Sequence, residues 1–87
     1  MPSEALKRTQ NERKFGQWTE LAGGGRRYWY EVPGKRGWLA RYVKEVDSNE
    51  ITIAFWQEIY DGSGVLVERH DKYPLDTGHY APGSLEQ

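Results

Sequence analysis

The stretch "ITIAFWQEIYDGSGVLVERHDKY", residues 51–73, contains two apolar-rich segments separated by a turn signal. Both segments are rich in β-branched and aromatic residues, which favour strands. The turn "DGSG", residues 61–64, has two glycines, and Pro74 follows the second segment, where a proline commonly ends a strand. The stretch therefore predicts an antiparallel β-hairpin.

The same pattern continues towards the N-terminus. The strand-like segments there are "FGQWTELA" (15–22), "RYWYEV" (27–32) and "WLARYVKEV" (38–46), with turn signals in "GGGR", "PGKRG" and "DSNE". Short strands with a turn about every 8–12 residues indicate an all-β fold. The sequence therefore predicts a mainly β protein, a curved antiparallel meander of four to five strands.

The two ends of the chain are polar and lack a clear pattern. Residues 1–14 offer almost no apolar face, although Ser3 is a candidate helix N-cap. We expect residues 1–14 to form a flexible or weakly helical arm and residues 81–87 to form a disordered tail. Residues 15–80 then make up a single β domain, as the length of 87 residues also predicts.

The composition argues against several classes of site. The chain has no cysteine, so disulfides and thiolate metal sites are impossible, and this absence fits a cytoplasmic protein. No apolar run approaches the ~18 residues of a membrane-spanning helix, and the N-terminus lacks the apolar core of a signal peptide. No phosphate-binding glycine motif or catalytic serine motif is present. We therefore expect no membrane association and no cofactor.

The charge is balanced overall but not along the chain. The formal net charge of −1 disfavours a strongly electrostatic nucleic-acid binder. Residues 1–44 hold ten Lys and Arg against four acids, whereas residues 45–87 hold two against nine. Because strand pairing brings distant parts of the chain together, we expect these charges to compensate each other within the sheet.

Closing each hairpin tightly around its turn signal predicts the strand register. "DSNE" then pairs Tyr42 with Phe55, and "DGSG" pairs Phe55 with His70. One face becomes apolar and is the predicted core face: Tyr28, Tyr30, Val32, Trp38, Ala40, Tyr42, Val46, Ile51, Ile53, Phe55, Ile59 and Leu66. A slip by one residue inverts a strand, because side chains alternate between the two faces.

The opposite face carries alternating aromatic and basic residues. In the predicted register Arg41 lies between Trp29 and Trp56, and Trp56 lies beside Arg69. Two interpretations fit this row: arginine side chains that shield tryptophan rings within the fold, or a surface on which a protein partner or RNA bases stack. The candidate binding residues are therefore Trp29, Arg41, Trp56 and Arg69.

A second polar group lies in "RHDKYPLDTGH". His70 and Asp71 are neighbours on a strand and point to opposite faces, so they do not chelate one ion together. His70, Asp76 and His79 make at most a weak two-histidine, one-carboxylate set, and we expect no metal. Alternatively, His70 packs beside Phe55 while Asp76 bonds to the backbone of its turn. We keep His70, Asp71, Asp76 and His79 as a possible functional tail.

Catalytic residues are not assigned. A metal-independent ribonuclease needs a histidine, an acid and cations near a phosphate. Residues of those types are His70, His79, Glu58, Arg69 and Lys72. Small sheets often carry such residues without being enzymes, so the sequence favours a protein that is not an enzyme.

Residues 51–79 resemble the C-terminal part of small prokaryotic proteins of the TumE toxin type. Those proteins have a strand, a D-x-x-G-x-L turn, a strand ending in an Arg-x-Asp stretch, and a histidine-containing tail. The matching residues are Tyr60, Asp61, Gly64, Leu66, Arg69, Asp71 and His79. The longer span 27–79 also looks like an uncharacterised prokaryotic domain family of unknown function. The resemblance implies one half of a toxin–antitoxin-like pair.

These observations favour a small protein-interaction module. We expect a protein partner or self-association, because aromatic residues beside arginines are typical of interface hot spots. The alternative is a ribonuclease or RNA-binding toxin that acts through the Arg–Trp face, with His70 or His79 as the proton carrier. A purely structural accessory domain is a third interpretation.

Overall fold

The computed structural model describes residues 3–81, which form an open six-stranded antiparallel sheet and one N-terminal helix. The elements are α1 (Glu4–Phe15), β1 (Gln17–Glu20), β2 (Arg26–Pro33), β3 (Leu39–Val46), β4 (Thr52–Tyr60), β5 (Leu66–Tyr73) and β6 (Gly78–Tyr80). The strands lie side by side in chain order. The predicted mainly β antiparallel fold is confirmed. The sheet has six strands instead of four to five, because the three-residue β6 is too short to show an alternating pattern.

Helix α1 occupies most of the region for which we expected a flexible or weakly helical arm. Ser3 caps it by accepting a hydrogen bond from the Leu6 N–H (3.1 Å). Gly16 ends it in the left-handed conformation, with φ of 77°. Phe15, which we placed in the first strand, is instead the last helical residue, and its side chain is buried. That burial is what fixes the helix to the sheet.

The core lies between α1 and one face of the sheet, which we call the helix face. Strand residues on this face include Trp18, Tyr28, Tyr30, Tyr42, Lys44, Phe55, Gln57 and His70. Phe15 packs against Tyr28 and Tyr30, with ring centroids 5.8 and 5.4 Å apart. Tyr28 and Val46 are fully buried, and Phe55 packs against this cluster.

The predicted core face is only partly buried. Four of its members are at least 40% exposed, namely Val32, Trp38, Ile51 and Ile53. The reason is the size of the cover: α1 has 12 residues and packs on β1 and β2. Leu66 is also corrected, because it pairs with Tyr60 and so lies in register with the opposite face.

Over most of its length the strand register differs from the predicted one by two residues, and a further bulge pairs Phe55 with Tyr73. In the turns "DSNE" and "DGSG" the N–H of Asp47 donates to the Ile51 carbonyl, and that of Asp61 to the Val65 carbonyl. Each closure is one residue longer than predicted, and a β-bulge next to each turn adds a second residue. At the turn "PGKRG" the register is shifted by the same two residues without a bulge, because the Gly34 N–H donates to the Trp38 carbonyl.

A shift of two residues changes the partners of a side chain but not its face. Tyr42 therefore pairs with Gln57 instead of Phe55, and Gln57 pairs with His70. Both Phe55 and Tyr42 nevertheless remain on the helix face, as predicted.

Two further expectations concern the ends and the membrane. Apart from Ala81, the predicted tail at residues 81–87 lies outside the described residues. Within residues 3–81, no helix has the length and apolar character needed to cross a bilayer.

Candidate functional site

The face opposite α1 carries all four candidate binding residues, and we call it the arginine face. Trp29, Arg41, Trp56 and Arg69 come from β2, β3, β4 and β5. One cross-strand row on this face is Glu31, Arg41, Glu58, Arg69 and Tyr80. The adjacent row is Gln17, Trp29, Val43, Trp56 and Asp71. The predicted direct Arg–Trp pairs are therefore wrong, because the two-residue shift places each arginine opposite an acid.

Arg41 lies between two glutamates. Its Nη2 is 2.6 Å from the Glu31 carboxylate, and its Nη1 is 3.8 Å from that of Glu58. The hydrogen bond to Glu31 raises the pKa of Arg41, against the opposing effect of burial. The guanidinium also lies 5.1 Å from the centre of the Tyr60 ring, whose hydroxyl donates to Glu58. Arg41 thus has both its ion-pair partners and its stacking partner within its own sheet.

Trp56 and Arg69 do make the predicted stacking contact, but diagonally across the strands. The Arg69 guanidinium lies 4.5 Å from the Trp56 ring centre, within the range of a cation–π contact. Trp56 is almost fully buried, and its indole N–H donates to Glu58 at 2.8 Å. Asp71 accepts hydrogen bonds from Arg69 (2.7 Å) and from the Tyr80 hydroxyl (2.6 Å). Burial of Asp71 raises its pKa, but these hydrogen bonds outweigh the burial and hold the pKa below its ordinary value.

The arginine face carries no excess of positive charge. Its strand residues include three arginines, Arg27, Arg41 and Arg69, and four carboxylates, Glu31, Glu45, Glu58 and Asp71. Arg27 is 2.7 Å from Glu45. This pair and the pair between Arg41 and Glu58 join the basic first half of the chain to the acidic second half, as expected.

A shallow cavity of about 340 Å³ lies in the middle of the arginine face. Its lining includes Trp29, Arg41 and Trp56, together with Val43 and Tyr60. Trp29 is half-buried. Within residues 3–81 its indole N–H has no side-chain acceptor, whereas that of Trp56 donates to Glu58. The cavity is therefore a concave aromatic surface bordered by arginines that already have partners.

The histidine cluster forms at the edge strand β6. His70 and His79 are cross-strand partners with ring centroids 4.7 Å apart. His70 Nε2 lies 2.5 Å from Asp76 Oδ1, and His79 Nδ1 lies 3.7 Å from Glu68. Asp71 points to the other face, as expected, so the possible functional tail does not converge on one point. His70 lies opposite Gln57 instead of beside Phe55, which corrects that interpretation.

Asp76 also accepts a hydrogen bond from the Gly78 N–H at 2.9 Å. That bond and the one with His70 hold the pKa of Asp76 below its ordinary value. Across residues 3–81, no group of three or more His, Cys, Asp or Glu side chains is arranged to hold a metal ion.

A buried polar network around Glu50 went unrecognised in the sequence. Glu50 belongs to the turn "DSNE", yet it is only 3% exposed and has a left-handed backbone with φ of 64°. Its carboxylate accepts hydrogen bonds from the Tyr28 hydroxyl and from the Asn11 amide (3.0 Å), and it pairs with Arg8 (3.4 Å). Turn residues are ordinarily solvated, so nothing in the local sequence indicates this burial.

The network changes the ionisation of its members. Burial raises the pKa of Glu50, but the hydrogen bonds from Tyr28, Asn11 and Arg8 outweigh burial, so its pKa lies below its ordinary value. Burial and the hydrogen bond to Glu50 raise the pKa of Tyr28 to about 12. Glu50 is therefore a buried anion held by α1 and β2 together.

Comparison with known proteins gave no match: no family model, curated protein or solved structure matches this chain. The resemblance to TumE-type proteins thus stays a prediction, and the candidate sites rest on geometry alone.

Proposed function

We propose that this protein is a small protein-interaction module that binds its partner through the arginine face. The observation that supports this proposal is the internal pairing of Arg27, Arg41 and Arg69 with carboxylates of the same face. Paired arginines have little charge left to attract phosphates. They still offer planar, partly exposed groups beside aromatic rings, which is the composition of interface hot spots.

In this proposal Trp29 is the anchor of the interface. It lines the 340 Å³ cavity, pairs across the strands with Val43 and is half-buried. A partner side chain that fills the cavity contacts aromatic and aliphatic surface in the centre and meets paired charges at the edge. Interface cores are commonly poor in unpaired charge and rich in aromatic residues, with polar groups at the rim. The partner is a protein or a second copy of this chain.

The proposal includes the role suggested by the TumE-type resemblance, one half of a toxin–antitoxin-like pair in a prokaryotic cytoplasm. The absence of cysteine is compatible with that location. The competing proposal is a ribonuclease or RNA-binding toxin acting through the same face. That reading requires Arg41 and Arg69 to exchange Glu31 and Asp71 for phosphates.

The test is a selection of displayed peptides against the immobilised protein, followed by binding measurements on two tryptophan variants. We expect the selected peptides to lose at least tenfold in affinity for Trp29→Ala and to bind Trp38→Ala normally. Trp38 is the control, because it is another tryptophan with exposed surface (40% exposed) and does not line the cavity of the arginine face. Sedimentation velocity over a concentration range tests self-association of the same variants. Two results together rule the proposal out. The selected peptides bind Trp29→Ala as tightly as the unmodified protein, and Trp29→Ala does not reduce any self-association.

A further inference from the structure

Two lysines line an open groove on the helix face, at the border of the core, and a third lies beside its aromatic wall. Lys14 lies in the last turn of α1, Lys44 lies in β3, and Lys72 lies at the bulge of β5. The groove has a volume of about 420 Å³, and its lining includes Lys14, Lys44, Phe55 and Tyr73. Lys72 Nζ lies 5.7 Å from the centre of the Phe55 ring and 5.3 Å from that of Tyr42. We call this set the lysine groove.

These lysines have no anionic partner among the described residues. Within residues 3–81, no carboxylate lies within 4.0 Å of Lys14, Lys44 or Lys72. Two carboxylates interact electrostatically with members of this set, Glu50 with Lys44 and Asp76 with Lys72, and both are bonded to other groups. Glu50 is bonded to Tyr28, Asn11 and Arg8, and Asp76 is bonded to His70 and the Gly78 N–H.

Lys44 shows the consequence of this excess of positive charge. Its Nζ donates to the Asn11 side-chain oxygen at 2.9 Å, which is a neutral partner. Burial and then the charge of Lys14 lower the pKa of Lys44, and Glu50 opposes the change only in part. An anion placed between Lys14 and Lys44 relieves the repulsion between them.

The groove continues along the surface of α1. A second cavity of about 320 Å³ shares Lys44, Ile51 and Thr52 with the lysine groove and extends to Lys7 and Gln10. Asn11 and Glu50 also line it, and the Glu50 carboxylate is already bonded to Tyr28, Asn11 and Arg8. The two cavities thus form a track that is longer than one small ligand. Exposed ring surface lies at one end, where Tyr73 is 48% exposed beside Phe55.

We propose that the lysine groove binds single-stranded nucleic acid, with phosphates at Lys14, Lys44 and Lys72 and a base stacked beside Phe55 and Tyr73. Lysine ammonium groups suit phosphates as point charges. Aromatic rings next to a cationic track are the usual means of holding unpaired bases without sequence preference. A base in a duplex is stacked on its neighbours and cannot reach Phe55, so the ligand is single-stranded. An acidic peptide satisfies the lysines but leaves the rings without a partner. This site is on the opposite side of the sheet from the proposed protein interface and does not depend on it.

The experiment is a titration of fluorescein-labelled hexauridylate with the protein, followed by anisotropy at 50 and 200 mM salt. With about three phosphate contacts the slope of log K against log salt is about −2, so binding weakens roughly twentyfold between these salt concentrations. Lys72→Gln and Lys14→Gln are each expected to reduce the slope by about 0.7. Phe55→Leu is expected to weaken binding without changing the slope, because it removes the stacking ring and no charge.

Two matched controls separate this site from other charged surfaces. Lys35→Gln removes a lysine from the turn between β2 and β3, and Arg41→Gln removes a cation from the arginine face. Neither is expected to change the affinity. Thermal melting of each variant verifies that it is folded.

Four results overturn the proposal. The first is a dissociation constant above about 1 mM at 50 mM salt, because such binding is weaker than ordinary non-specific binding. The second is a loss of affinity in Arg41→Gln with none in Lys72→Gln, which places the RNA on the arginine face. The third is binding of uridine monophosphate as tight as that of the hexamer. The fourth is equal affinity for hexaglutamate, which makes the groove a general anion site.

Discussion

The arginines of the arginine face and the lysines of the lysine groove, on opposite sides of the sheet, hold their charges in opposite ways. On the arginine face, Arg27, Arg41 and Arg69 each lie within 2.7 Å of a carboxylate from the same face. On the helix face, the buried carboxylate of Glu50 is enclosed by hydrogen-bond donors. Among residues 3–81, Lys14, Lys44 and Lys72 have only neutral partners or none. The face with the more conspicuous arginines is thus the less able to attract an anion.

The difference follows from the register of the strands and the position of the helix. Direct cross-strand neighbours face each other at short distance, so arginines opposite acids form pairs. The lysines come from three different elements, a helix end, a strand and a bulge, and no strand pairing supplies them with an acid. The capacity to bind an anion therefore depends on which cations lack a partner, and not on how many the surface contains.

The largest expected effect comes from removing the cover of the helix face. Phe15→Ala deletes the ring that joins α1 to Tyr28 and Tyr30, and we expect a loss of about 3 kcal/mol in the free energy of unfolding. The measurement is urea denaturation followed by tryptophan fluorescence. Leu6→Ala is the control on the same helix, with an expected loss below about 0.5 kcal/mol, because Leu6 is largely exposed. A loss below about 1 kcal/mol for Phe15→Ala means that α1 is not fixed by this contact.

The next largest effect on stability is expected in one of two turns that have similar backbone hydrogen bonds. In both "DSNE" and "DGSG" an aspartate side chain accepts two backbone N–H bonds, and the fourth residue is left-handed. That residue is Gly64 in one turn and Glu50 in the other, and a residue with a side chain is ordinarily disfavoured there by about 1–2 kcal/mol. Glu50 is held in this conformation by its buried hydrogen bonds.

Glu50→Ala is therefore expected to cost about 2–3 kcal/mol, because Tyr28 and Asn11 lose their buried acceptor. Gly64→Ala, the matched change in the other turn, is expected to cost about 1 kcal/mol from its backbone alone, since a methyl group there meets no neighbour. Both values come from urea denaturation. Equal costs for the two variants contradict the role of the Glu50 network.

A smaller effect is expected on the arginine face. Arg41→Ala removes the pair with Glu31 and the stacking on Tyr60, both partly exposed, and we expect a loss below about 1.5 kcal/mol. Lys35→Ala serves as the control for loss of a surface charge. A loss above about 3 kcal/mol makes Arg41 a structural residue and weakens its assignment to a binding surface.

The smallest effect concerns pH. The folded-state pKa of Glu50 lies below its ordinary value of 4.5, so the unfolded chain takes up a proton first as the pH falls. The contribution of Glu50 to stability is thus complete above pH 4.5 and is lost as the pH falls through the lower, folded-state pKa. Glu50→Gln is expected to make thermal stability less dependent on pH below 4.5. The effect is smaller than that of Glu50→Ala, because glutamine still offers an acceptor to Tyr28. An unchanged pH dependence contradicts this assignment.

Much of the fold was accessible from local sequence. Alternation of apolar and polar residues placed Trp29, Arg41, Trp56 and Arg69 on one face and Phe55 on the other. These assignments are correct although the predicted register is wrong. The longer turn and the bulge next to it each shift the pairing by one residue, and a shift of two residues leaves every side chain on its original face. The short strand β6 was missed because three residues show no repeating pattern. The burial of Phe15 was missed because the alternation of residues 15–22 assigned it to the first strand, whereas it ends α1.

The sequence by itself therefore determined the type of fold and the face on which most strand residues lie, because both follow from a two-residue period. Leu66, next to a bulge, is an exception. Only the tertiary structure decided which charges meet. Glu50 became a buried anion because α1 and β2 enclose a turn that is 39 residues away from Asn11 in sequence. The arginines of the arginine face are paired because the register places them opposite acids. The lysines of the lysine groove are unpaired among residues 3–81, because no neighbouring strand places a carboxylate opposite them. Such pairings depend on distances between elements far apart in the chain, which local patterns do not encode.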